Sequence, residues 1–388
     1  MTVRELTRDL VSIPSYEDET AAGDYIEEWL RRETDADVTR DAVGNVIARK
    51  GTGEETLALV GHHDVVEPAP SQVVETEAGS NGTNTETATA LEYAVDERNG
   101  RLYGRGTADM KGAVAAAMLA FRDGDVTRPS SSAAQSDDAE PSGELVFASF
   151  VGEEVGGVGA RHAIDDGFAP EYAIVGEGST DYSGPDVTDV VVAHKGRRGS
   201  TITARGTAAH ASEAAAGENA IYRATAAVDR VRDLEVPSVD VAGETLAGSL
   251  VVTEIEGGSG INVVPDRCEV TVDERTVPGE RAPLERVADL EGVEWTVDQD
   301  LPPMRCDDER FAETVLEAAD AAQSGSPKLV TKPHATDAGW LAAAGTECVI
   351  CGPSEPGEAH TEDESVSIAV LERCLEIYRR AVASWLER

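Results

Sequence analysis

The chain has 388 residues, more than one hydrophobic core usually organises, so two domains are expected. Its 74 acidic residues against 33 basic ones give a formal charge of −41, with lysine confined to Lys50, Lys111, Lys195, Lys328 and Lys332. Such a surface excludes nucleic acid and anionic membranes as expected partners. It is best shielded where the Debye length falls to ~3 Å near molar salt, which reads as the cytoplasmic protein of a halophile. The start, MTVRELTRDLVSIPSYEDE, lacks the basic and apolar regions of a signal peptide, and no apolar run is long enough to span a bilayer. Five cysteines, an odd number, argue against a disulfide framework. Cys348 and Cys351 form a CxxC within the apolar run TECVICGP, but no second pair completes a zinc site, so they read as buried thiols.

In chain order, helical spacing runs from about Val3 to Arg32, and DVTRDAVGNVIARK and ETLALVGHHDVV then read as strands. Residues from about Glu75 to Thr89, and again Pro129 to Ser142, are polar without hydrophobic period and are expected as surface insertions. Between them MKGAVAAAMLAF predicts a helix, and ELVFASFVGEEVG a strand running out into acids. This alternation indicates an α/β core around a mostly parallel central sheet. From about Asp189 the pattern becomes strands, VVVAHKGRRGSTITARG, SLVVTEIEGG and CEVTVDERT, with helices near NAIYRATAAVDRV and PLERVADL. That β-α-β-β-α-β order fits a ferredoxin-like sandwich ending near Asp298. Helix and strand then alternate again to a final amphipathic helix, Glu364 to Leu386.

Ligands of such sheets gather beyond the carboxyl ends of the strands. There lie GHHD at 61–64, GRGTADMKG at 104–112 and GEE at 152–154. Each alone reads more readily as structure, a helix cap or a solvated charge run; together they point to metal. Hard carboxylates with a few imidazoles suit Zn, Co or Mn. The H-x-D spacing turns His62 and Asp64 to one face of an extended strand, so Asp64 can orient the imidazole. Glu153 and Glu154 are neighbours that point in different directions, which lets one bind metal while the other handles protons.

GHHDVV, GRGTADMKG, VGEEVGG, AHAS at 209–212, GGSGINVVPDRCEVTVDER and GEAH at 357–360 resemble, in order, the zinc aminoacylase and carboxypeptidase family. That family includes acetylornithine deacetylase and succinyl-diaminopimelate desuccinylase. The resemblance covers almost the whole chain apart from the two polar insertions. It implies a metallohydrolase catalytic domain (1–188 and 299–388) interrupted by an inserted dimerisation or lid domain (189–298). It also implies two divalent ions, zinc first and cobalt or manganese as substitutes. His62 then binds the first metal, Asp109 bridges both, Glu154 and His360 hold the second, and Glu177 completes the first. The Glu177 match is looser, because Gly178 and Ser179 stand where the family often has Pro-Thr. Glu153 becomes the general base, Asp64 supports His62, and the peptide bond from Asp109 to Met110 is expected to be cis. His210 is expected to supply an oxyanion donor across a homodimer interface.

Substrates of the resembled family carry carboxylates, for which Arg275, Arg197 and Asn262 are candidates, with Thr336 and Asp337 of HATDAGW in a shorter match. Arginine offers carboxylate a planar bidentate fork. KGRRGS favours a succinyl-diaminopimelate desuccinylase; acetylornithine deacetylase follows, then a dipeptidase or carboxypeptidase. An inactive dimeric binding protein on the same fold would lack a ligand or the base, and none is missing. GTGEE and GGVGA lack the spacing of nucleotide-binding loops. His63, His162, His194 and His334 have no motif role and read as structural or exposed.

Overall fold

Pro14 ends the first helical run sooner than its periodicity suggests. The computed structural model describes all residues other than 54, 78–88, 127–142 and 387–388. The run beginning at Val3 resolves into α1 (Val3–Ser12) and α2 (Thr20–Glu33). Thr2 and Glu5 form a reciprocal capping box at the start of α1. Ile13, which precedes the proline, takes extended backbone (φ −86°, ψ 119°), because the proline ring disfavours helical geometry in the residue before it.

After β1 (Asp37–Arg40) and β2 (Val46–Gly51) comes β3 (Thr56–His62), buried continuously from Leu57 to His62. A strand apolar on both faces belongs inside a parallel sheet with helices above and below. Next are α3 (Gly112–Asp123), β4 (Glu144–Phe150), α4 (Val158–Asp165), β5 (Tyr172–Val175) and β6 (Val190–His194). β3 runs parallel to β4 on one side and β5 on the other. α3 is buried from Gly112 through Phe121, so its alanines and large apolar residues serve close packing all round the helix. Of the first polar insertion, residues 73–77 and 89–93 form an antiparallel pair. Its residues 78–88, and all of Pro129 to Ser142, lie outside the described residues.

The chain divides into two units. The second comprises Ala193–Met304 and Thr331–Ala335, against the 189–298 expected from sequence. It holds β7 (Gly196–Arg205), α5 (Ala220–Arg232), β8 (Ser249–Gly257), β9 (Arg267–Thr276) and β10 (Val293–Leu301). These make a four-stranded antiparallel sheet in the order β8-β9-β7-β10. Pairing of Arg197 with Leu301 carries the ladder past residue 298, which is why the sheet outlasts the sequence boundary. Ile202, Val270 and Val272 on the sheet pack with Ala220, Ala224 and Leu284 in one core. The expected second helix, PLERVADL, is a 3-10 turn over Leu284–Asp289, entered from Pro283.

Further along the chain come β11 (Met304–Arg305), α6 (Glu309–Ala321), β12 (Leu329–Lys332), α7 (Asp337–Ala343) and β13 (Glu347–Ile350), the first unit resuming at Arg305 and again at Thr336. Its sheet order is β1-β2-β4-β3-β5-β13-β6-β11, with β12 beside β6. β4, β3, β5 and β13 are parallel, and the antiparallel pairs lie on either side of them. The last helix, α8, spans Ile368–Leu386, shorter than expected because Ser365–Ser367 pairs as a strand with Arg101–Tyr103. Among the described residues, no helix is long and apolar enough to cross a membrane.

Candidate metal centre

The parallel strands deliver their acids to one place. His62 ends β3, Glu153 and Glu154 follow β4, Glu177 follows β5, and Asp109 lies in the turn that enters α3. The Asp109–Met110 peptide bond is cis. Gly152, Gly156 and Gly157 all have positive φ in the turn carrying the paired glutamates. At Gly157 (φ +72°) an added Cβ would also meet Trp340 Nε1 at 2.5 Å, so close packing as well as backbone conformation demands glycine. His360 itself adopts φ +66°, sparsely populated for a non-glycine residue.

Three donor groups emerge among the described residues, His62 with Glu153 and Glu154 being one, and the other two share Asp109. His62, Asp109 and Glu177 bring ligand atoms together in the first of these two, and Asp109, Glu154 and His360 in the second. His62 Nε2 is 3.1 Å from Asp109 Oδ1 and 3.4 Å from Glu177 Oε1. His360 Nε2 is 3.1 Å from Asp109 Oδ2 and 3.0 Å from Glu154 Oε1. The other nitrogen of His62, Nδ1, lies 3.2 Å from Asp64 Oδ1, while Asp64 Oδ2 accepts the Glu154 backbone N–H at 3.0 Å. Asp64 therefore ties His62 to the glutamate turn.

The electrostatics are those of a crowded buried acid cluster. Burial opposes a charged His62, yet Asp109, Asp64 and Glu177 hold its pKa well above the ordinary value. Asp109 and then Glu154 push His360 up to about 10. Against burial, the His360 and His62 imidazoles hold the Asp109 carboxyl far below the usual range. Glu153 goes the other way: burial first, then Asp337, Glu177 and Asp109, raise it well above an ordinary glutamate despite His62. Asp337, buried with neither carboxylate oxygen hydrogen-bonded, is pushed up to about 8 by burial and by Asp64, Glu177 and Glu154.

These residues fit a pair of divalent cations. Oxygen and nitrogen donors bound at ~2.0–2.2 Å to a tetrahedral ion stand roughly 3–4 Å apart, and the imidazole-to-carboxylate separations in the two groups run from 3.0 to 3.4 Å. Hard carboxylates and imidazoles are the right chemistry, and added positive charge would relieve the repulsion among Asp109, Glu154 and Glu177.

Of the other sequence candidates, His210, Asn262, Arg197 and Arg275 lie in the second unit. Pairing of His210 with Val263 brings His210 beside Asn262, with the Asn262 side-chain nitrogen 3.3 Å from His210 Nε2. His210 Nδ1 faces the Ser212 backbone N–H at 3.2 Å and the Ser212 hydroxyl at 2.7 Å. A backbone N–H can only donate, so the neutral ring carries its hydrogen on Nε2. The isosteric ends of the Asn262 amide then favour Oδ1 toward that hydrogen. Arg197 and Arg275 are register partners on β7 and β9, and they share Asp273: Arg197 Nε donates to Oδ2 at 2.7 Å and Arg275 Nε to Oδ1 at 2.8 Å. Thr336, in the first unit and buried, caps α7 by accepting the Ala338 N–H.

Sequence reasoning passed over Glu364, a buried acid whose carboxylate accepts the backbone N–H groups of Ala108 and Asp109. Its only signal was an acid four residues after His360. It likewise passed over Lys111, fully buried and donating to the Ile13 carbonyl at 2.6 Å. His63 is buried against the Ser149 hydroxyl, His162 lies 3.4 Å from Asp166, and His194 is buried, so these three have structural surroundings. All five cysteines are free, with Cys348 and Cys351 buried in or beside β13.

A relative, acetylornithine deacetylase of Myxococcus xanthus, is 29% identical over 358 residues, covering 87% of this chain and 83% of that protein. Succinyl-diaminopimelate desuccinylase of Xylella fastidiosa is 28% identical over 393 residues, 97% of each. The aminopeptidase PepT of Bacillus cereus shares the fold at TM-score 0.74, 20% identity and 98% coverage of both chains. So does an M20 family metallo-carboxypeptidase of Sulfolobus solfataricus, at TM-score 0.68, 15% identity and coverage of 100% and 99%. The profile of Peptidase family M20/M25/M40 matches residues 58–384, and with a match of that extent the chain belongs to this family of metal-dependent hydrolases.

Proposed function

We propose that the chain is a dinuclear metal-dependent amidohydrolase that removes the acyl group from an N-acyl amino acid, with N-succinyl-diaminopimelate as the favoured substrate. The observation that supports it most is the sharing of Asp109 by two donor groups with the half-buried acid Glu153 alongside. Zinc, with cobalt or manganese as substitutes, would be held by His62, Asp109 and Glu177 and by Asp109, Glu154 and His360, and when bound supplies a Lewis acid and an acidified water. Glu153 takes the water's proton and passes it to the leaving nitrogen. Asp64 keeps the His62 imidazole oriented.

His210, donating through Nε2, is assigned to the developing oxyanion. By family resemblance that donor comes from His210 of the partner subunit in a homodimer formed through the inserted domain. Exposed apolar residues support this: Tyr222 on α5 and Val251 and Ile255 on the edge strand β8. Arg197 and Arg275 are assigned to the substrate carboxylate, with Asn262 and Thr336 as further contacts. The charge of −41 supports a high-salt cytoplasmic setting. The test is a panel of N-succinyl, N-acetyl and dipeptide substrates in molar salt with added zinc or cobalt. Preferred cleavage of N-succinyl-diaminopimelate is expected, preference for N-acetylornithine moves the assignment to the second candidate, and hydrolysis of dipeptides alone overturns both deacylase assignments.

A further inference from the structure

Glu364 has no part in the proposed chemistry, yet it is 1% exposed and bonded on every side. Its Oε1 accepts the Ala108 N–H at 3.0 Å and the Asp109 N–H at 3.2 Å, and its Oε2 accepts from Arg105 Nη1 at 2.5 Å. Its backbone carbonyl accepts the Gly104 N–H at 3.0 Å. Arg105 is also buried, and its Nη2 reaches the Glu67 carbonyl. One residue thus holds the 104–109 loop at both of its ends.

The chain closes a ring here. From the Asp109 amide the path runs through the Glu364 carboxylate and back along residues 363–361 to His360. The His360 imidazole returns to Asp109, with Nε2 3.1 Å from Oδ2. We infer that Glu364 is a positioning residue that sets the separation of Asp109 and His360 and thereby the affinity of the proposed metal pair. This rests on the reading of Asp109 and His360 as ligands. A carboxyl oxygen that accepts two adjacent N–H groups while the other oxygen meets an arginine is fixed at both ends, so it holds the Asp109 backbone in place. The spacing of the two ligands is then set on the Asp109 side by the buried Glu364 carboxylate and on the His360 side by only three intervening exposed residues.

The experiment is a chelator-competition titration of Zn²⁺ and Co²⁺ into the metal-free full chain, with the Co²⁺ absorption spectrum as a second readout. Glu364→Gln removes the charge, and Glu364→Asp keeps it but withdraws it by one methylene; Asp109→Asn is the control. Each Glu364 variant, kept folded as judged by circular dichroism, should bind metal ~10- to 100-fold more weakly, with an altered Co²⁺ spectrum. Asp109→Asn should lose the pair. Wild-type affinity and spectrum in both Glu364 variants, with Asp109→Asn impaired, would overturn this inference alone. Wild-type affinity in Asp109→Asn would sink the ligand assignment and this inference with it. Binding needs no substrate, so the outcome is independent of which amide is cleaved.

Discussion

Asp109 presents one carboxylate oxygen to each of two imidazoles, Oδ1 to His62 and Oδ2 to His360, both at 3.1 Å. A single residue therefore belongs to both donor groups. Removing it should cost more metal than removing either imidazole. Asp109→Ala is expected to lose both equivalents and fall to background hydrolysis, whereas His360→Ala should keep one equivalent in the His62 group. Elemental analysis of the dialysed proteins checks this, and equal metal content in the two variants would refute the shared role.

Glu153 is close to the site without belonging to either of the two groups that share Asp109. Glu153→Gln preserves its size and removes its proton-carrying function. Turnover should fall ~10²- to 10⁴-fold with metal content unchanged. Near-normal turnover at full occupancy would remove Glu153 from the mechanism.

Asp337 carries a stability signature in the metal-free protein. Its folded pKa of about 8 lies above the ~4 of an unfolded aspartate, so the folded state holds a proton that the unfolded chain has released. Stability contributed by that proton is present below pH ~4 and is lost as pH rises toward 8. Asp337→Asn, neutral at every pH, should flatten this slope and stabilise the metal-free protein at pH 8 by roughly 1–3 kcal/mol. Urea unfolding at pH 5 and pH 8 in the presence of chelator measures it; an unchanged slope counts against the buried, unpaired carboxyl.

The Ser212 amide facing His210 Nδ1 fixes a tautomer. In ¹⁵N spectra of imidazole-labelled protein with neutral rings, the resonance missing from His210→Ala should show hydrogen on Nε2. The same variant should lose ~10²- to 10³-fold in turnover with unchanged thermal unfolding, since His210 is exposed. A dominant Nδ1–H form contradicts the assignment.

Arg275 shares Asp273 with Arg197, so the three groups carry one net positive charge in a chain of −41. Arg275→Ala should raise KM for a carboxylate substrate ~10-fold or more and change kcat less. Equal losses in kcat and kcat/KM would instead place Arg275 in transition-state stabilisation.

Much of this was legible in the sequence because its causes are local. Continuous apolarity announces a buried strand such as Leu57–Val60, and strict alternation announces the half-buried Arg267–Thr276. Acids and imidazoles at strand ends mark where ligands collect in such sheets, which is how His62, Asp109 and Glu154 were found. The local reading failed where a neighbour in space overruled it. Helical spacing at Glu364–Ser367 gave way to pairing with Arg101–Tyr103, and the second helix of the inserted unit tightened to a 3-10 turn behind Pro283.

What the sequence determined by itself was the alternation of elements, the family to which they correspond, and the identity of the residues able to bind metal, all properties of residue type and spacing. Only the tertiary structure decided that Asp273 ties Arg197 to Arg275, and that Glu364 closes the loop behind Asp109. The Arg197–Asp273 and Asp109–Glu364 contacts join residues 76 and 255 positions apart. Chain separation that large carries no periodic signal, and the contacts exist because strand order and buried charge leave each carboxylate few other donors to meet.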